Sequence, residues 1–181
     1  SIINSILNSI PEKVKDFNVS VGINIDKHSI TRLIIDYLNA HLKKSNYGFY
    51  APDIQNILDT DYFNELSNDS GGQLSNKIIN SIIDENRSFF KTSYIVNHAT
   101  ENSKKFIKSI FDDKKKANEV IKKISQMLLS LKMNKPKRTD VEIEVIDYLL
   151  NTANEIEETI SNLKIKPTYR LFITLLKQNI R

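Results

Sequence analysis

Gln73, Asn76, Lys77 and Asn80 recur at intervals of three and four, so a helix through this stretch would carry all four on one side. Amides and an ammonium group presented together suit one chemistry well. Asn and Gln bond base edges, and Lys meets phosphate. Arg87 and Lys91 follow a few residues later and add two cations for a phosphate backbone. The opposite side of the same stretch holds Leu74, Ile78 and Ile82, with Ile79 and Ile83 beside them, which is the stripe expected to face a core. A polar helix face is ordinarily just solvated. The neighbouring cations and the positive balance of the chain favour contact with a nucleic acid.

Other groups with chemical potential have plainer explanations. His28, His41 and His98 lie far apart and without paired-His or His-Glu spacing, so no metal site is expected and the histidines take ordinary surface or core roles. Asp140, Glu142 and Glu144 sit where negative side chains oppose the dipole of a helix start. Asp112 and Asp113, beside Lys114 to Lys116, read as a solvated charged turn of helix. Ser70-Gly71-Gly72-Gln73 resembles part of the signature loop of ABC-type ATPases, but no Gly-x-x-x-x-Gly-Lys loop accompanies it, and a turn followed by a helix start explains it. Arg87 and His98 resemble the Arg-to-His pairing of helical RNases of the HEPN type, though with a longer gap across a run that reads as a hairpin. No nucleophile, base and metal assemble, so the expectation is a non-enzymatic protein without cofactors.

The elements that must position these residues follow from composition and period. Only 4 Gly and 4 Pro in 181 residues leave long uninterrupted stretches, which favours helices over many short strands. With 40% hydrophobic and 27% charged residues the chain should fold, and with no Cys it has neither disulfides nor thiolate metal sites, which is compatible with the cytoplasm. Apolar runs are short and Ser1 to Ile10 lacks a basic leader, so neither a membrane span nor a signal peptide is expected. The net charge of +4 would help attract phosphate or an acidic partner. The densest basic run, Lys104 to Lys137, lies outside the Gln73 to Lys91 region.

Ile2, Ile3, Ile6, Leu7 and Ile10 predict a short helix ended by Pro11, and the alternation Phe17, Val19, Val21, Ile23, Ile25 predicts a half-buried strand. Phe89 to Val96 is the expected strand partner. Asp26 is a candidate cap for a helix over Ser29 to Lys44, Pro52 opens a second helix, and a short Tyr62-Phe63-Leu66 turn leads to the break at Ser67 to Gly72. Beyond Thr100, Ala117 to Leu131 and Ile146 to Leu163 form facing seams of an antiparallel hairpin, joined at Asn134 to Arg138 and restarted by the Thr139/Glu142 capping box. Pro167 opens a last helix with Leu171, Phe172, Leu175 and Leu176.

The order strand, three helices, hairpin over residues 17 to 98 resembles the winged helix-turn-helix superfamily, with Tyr94-Ile95-Val96 in the wing. The expected fold is therefore mainly α: a winged-helix-like module with a small sheet over 1–98, then a helical hairpin and C-terminal helix over 99–181. That resemblance implies DNA binding in regulation, replication or defence, with Gln73, Asn76, Lys77 and Asn80 in a groove and Arg87 and Lys91 on phosphates. The C-terminal helices would dimerise or join another module. The alternative is an assembly scaffold, similar in layout to the amino-terminal part of bacterial condensin kleisin subunits.

Overall fold

Helix α1 (Ser29–Lys43) buries Ile30, Thr31, Leu33, Ile34, Tyr37, Leu38, Ala40 and His41, a face too wide to be covered from one side. The computed structural model describes residues 24–67, 73–85, 87–133 and 138–180, and there α1 is the hub. His28 caps it, its Nδ1 accepting from the Ile30 amide at 3.3 Å. Asp26, the expected cap, lies instead in a preceding 3-10 turn, Ile25–Lys27. The predicted N-terminal helix and all but the end of the predicted Phe17 to Ile25 strand fall outside the described residues, and Ile25 itself opens the 3-10 turn.

The chain leaves α1 through a tight turn in which Ser45 and Gly48 exchange backbone hydrogen bonds of 3.0 and 3.1 Å. Gly48 has φ +116°, and a Cβ there would be driven into the backbone of Phe90. Both facts demand glycine. Strand β1 (Phe49–Tyr50) then pairs antiparallel with β2 (Phe89–Phe90), Phe49 opposite Phe90 and Tyr50 opposite Phe89. Phe49 and Phe90 enter the core while Tyr50 and Phe89 point outward. So, among the described residues, the strand partner of Phe89 is Phe49–Tyr50.

Helix α2 (Ala51–Leu58) begins with Pro52 in its first turn, as expected. Tyr62 to Leu66, expected as a turn, belongs to helix α3 (Asp61–Ser67), started by Thr60, whose carbonyl accepts from the amides of Phe63 and Asn64. Helix α4 (Gln73–Glu85) matches the predicted rod. Ile78 is fully buried, Ile82 is half-buried, and Ile83, expected near the core, is 70% exposed.

The residues expected in the wing are not strand: Tyr94, Ile95 and Val96 lie in helix α5 (Thr92–His98). Lys91 ends β2 with extended backbone and its carbonyl accepts from the amides of Tyr94 and Ile95, which starts a helical turn. The rings then stack at i, i+4 spacing, Phe90 on Tyr94 at 4.9 Å and Tyr94 on His98 at 4.5 Å. Packing at period four overrides the strand preference of Tyr, Ile and Val.

Helix α6 (Glu101–Ile110) leads to a non-helical turn holding Asp112 and Asp113, and then to the hairpin. Its arms, α7 (Ala117–Met133) and α8 (Asp140–Asn162), face each other through Val120, Ile121, Ile124, Leu128 and Leu131 on one side and Val145, Ile146, Leu149, Ala153 and Ile156 on the other. They run antiparallel, since Lys132 near the end of α7 pairs with Asp147 near the start of α8 at 2.5 Å. The Thr139/Glu142 capping box forms in full. Pro167 stays just outside helix α9 (Tyr169–Asn179), which is capped by Thr168. Through Phe172, Ile173 and Leu176, α9 buries its apolar face within the chain, packing on α8 and α1. A single hydrophobic cluster runs from Ile30 to Ile180.

Among the described residues the fold is thus mainly α, with nine helices and one two-stranded antiparallel ribbon. No helix among them is long and apolar enough to cross a membrane.

Candidate nucleic-acid interface

Extended backbone alternates its side chains, and the two residues of β2 show it, one outward and one inward. Phe90 goes inward; Arg87, Phe89 and Lys91 are exposed. Across the ribbon the Tyr50 ring meets Phe89 at 5.4 Å, each residue 37% exposed. The bond from the Ala51 amide to the Ser88 carbonyl, 2.9 Å, continues the ribbon beyond this pair. The outer face of the ribbon therefore presents two rings, and the exposed Arg87 and Lys91 flank β2 in the chain. Arg87 also rests on the Tyr94 ring, its guanidinium 5.5 Å from the centroid.

Helix α4 leads directly into this strand. Asn76, Lys77 and Asn80 are exposed on it, as expected, and Ile83 is exposed as well. The side chain of Gln73 lies outside the described residues. Ser75, on the inner side, ties α4 to the end of α2 by donating to Asp59 Oδ1 at 3.3 Å. Asn76, Lys77 and Asn80 thus project from a helix anchored on its other face, and Arg87 and Lys91 project from the ribbon that follows. Arg87 and His98 both rest on the Tyr94 ring, and His98 Nδ1 is engaged by the Tyr94 carbonyl at 2.9 Å.

A second polar concavity, about 500 Å³, opens where α1, α2, α3 and the start of α8 meet. Its centre is Arg138, whose side chain is 4% exposed and whose guanidinium pairs with Glu65 at 2.5 Å and Glu142 at 3.7 Å over the Tyr62 ring at 5.0 Å. Tyr62 donates to Glu142 at 2.6 Å. Burial pushes the Glu142 carboxyl up, but the bonds from Thr139 and Tyr62 and the charge of Arg138 outweigh it and hold the group below its usual range. Burial likewise raises Asp36, against the opposing charge of Arg32. Arg138 is shared by the two carboxylates, and the three side chains brace the hairpin against α3.

Neither helical nor strand periodicity marks Tyr50 and Phe89 as functional candidates in the sequence. The available signal was the aromatic pair in Phe49-Tyr50 and again in Phe89-Phe90, each able to send one ring in and one out. Among the described residues no cluster of His, Cys, Asp and Glu is arranged to hold a metal ion. Comparison with protein-family models, with curated proteins and with solved structures found no match to this chain.

Proposed function

We propose that this chain is a non-enzymatic nucleic-acid-binding protein that takes a single strand across the outer face of its β-ribbon. Tyr50 and Phe89 stack bases; Arg87 and Lys91 meet the phosphates; Gln73, Asn76, Lys77 and Asn80 on α4 extend the path with amides and one further cation. The observation that carries this reading is the exposed Tyr50–Phe89 ring pair, with the exposed Arg87 and Lys91 two residues to either side of Phe89 in the chain. Base-on-ring stacking tolerates any sequence and contributes about 1–3 kcal/mol per base. The reading requires no wing, and a bare ring pair suits an unpaired strand better than a duplex groove.

Fluorescence anisotropy with labelled single-stranded and duplex oligonucleotides at two salt concentrations tests it. The single strand should bind more tightly, Phe89→Ala should weaken it about 10-fold, and Lys77→Glu should flatten the salt dependence. Equal affinity for both forms together with indifference to Phe89→Ala would end the proposal. An assembly role is the second reading, favoured by apolar exposure near the hairpin tip: Met133 at 83%, Leu129 at 49% and Val141 at 47%. Self-association in light scattering, without oligonucleotide binding, would transfer the case to it.

A further inference from the structure

Four lysines from three separate parts of the chain converge on one cleft of about 550 Å³. Lys44 follows α1, Lys115 and Lys116 precede α7, and Lys166 lies in the α8–α9 connection. Asn118 and Tyr169 help line it. Lys43, Lys104, Lys132 and Arg138 each have a carboxylate partner, but among the described residues none of the four cleft lysines does. Two of them are held only by neutral carbonyls, Lys44 by Asp113 and Lys115 by Ser109, both at 2.6 Å. Asp112 acts on both at a distance, Asp113 on Lys44 and Glu119 on Lys115, without closing an ion pair.

The fold fixes this arrangement. Tyr169 donates to the Lys115 carbonyl at 2.9 Å, tying the start of α9 to the entry of α7. Glu119 already caps the Lys116 amide at 2.8 Å, so the lysines and not the helix end make the cleft attractive to an anion. Burial holds the ammonium groups of Lys44 and Lys115 below their ordinary pKa, and an anion between them would reverse that cost.

We propose that this cleft binds the oligophosphate chain of a small ligand. Four lysines around one cleft, their ammonium groups on flexible stems, suit a chain of roughly three phosphoryl groups, each carrying one to two negative charges, better than a lone phosphate or carboxylate. The site is independent of the ribbon and of the nucleic-acid reading. Its source is either a nucleoside triphosphate or inorganic oligophosphate, which share this chemistry.

Isothermal titration calorimetry of the full chain with inorganic tripolyphosphate, a nucleoside triphosphate and a nucleoside monophosphate tests the assignment. Tripolyphosphate should bind at one site, and the monophosphate about 10-fold more weakly or worse. Equal affinity for the triphosphate nucleotide supports recognition of the phosphate chain alone; tighter binding supports a nucleotide. The exposed pair Lys116→Glu/Lys166→Glu should reduce tripolyphosphate affinity at least about 10-fold. Lys105→Glu/Lys108→Glu on α6, with the same change in charge, should leave it near the wild-type value. No tripolyphosphate binding, or equal loss in both double variants, would overturn the proposal.

Discussion

Replacing His41 with Phe should remove a specific pH dependence from the stability of this protein. The ring is 2% exposed and packs against Tyr37 at 4.9 Å, Phe49 at 5.1 Å and Tyr169 at 5.9 Å. Its Nε2–H donates to the Ile110 carbonyl at 2.9 Å, while Nδ1 has no hydrogen-bond partner among the described residues. Protonation would place a charge and an unmatched donor inside the core. Burial accordingly lowers the pKa from 6.5 to about 4, helped by Lys44 and Lys115 and opposed by the Ile110 carbonyl and Asp112. Between those values the unfolded chain holds a proton that the folded chain refuses, so this stability is complete above pH 6.5 and drains away as pH falls towards 4. A shift of this size corresponds to about 3 kcal/mol. Urea denaturation of wild type and His41→Phe across pH 4 to 7 isolates it, because the carboxylates common to both cancel in the difference. The variant keeps the ring contacts and loses one hydrogen bond, a constant offset of about 1 kcal/mol. Wild type should lose about 3 kcal/mol more than the variant on acidification; parallel curves would refute the reasoning.

Two structural predictions are independent of function. Gly48→Ala should cost about 3 kcal/mol or more, since the positive φ and the clash with the Phe90 backbone act together; an unchanged melting temperature would contradict the turn geometry. Arg138→Met should cost about 2–4 kcal/mol, because Glu65 and Glu142 lose their shared cation while still partly screened by water. Adding Glu65→Gln should recover part of that loss in thermal unfolding, and strict additivity of the two changes would argue against the pair.

What could be read in advance was local. The α4 rod, the hairpin arms and the Thr139/Glu142 box are each specified within a few residues by period or cap chemistry, and all three formed. The ribbon was not legible: β1 and β2 are two residues long, too short for alternation to register, and their pairing joins Phe49 to Phe90 across forty-odd positions. The run Tyr94 to Val96 has the composition of a strand, and only its stacking on Phe90 and His98 decides for helix. Asn76, Lys77, Asn80, Arg87 and Lys91 were identifiable by type and spacing, and all are exposed. The lysine cleft could not be foreseen, because its members come from three connections that only the tertiary fold brings together.

The closure of α9 over α1 sets an order on biosynthesis. While a ribosome is still making the hairpin, the α1 surface that α9 will cover has no lid, and the nascent polypeptide carries a sticky flank. Helices themselves form within about a microsecond, so the slow event is the distant docking that joins early residues to late ones. That flank stays open until translation has delivered its cover.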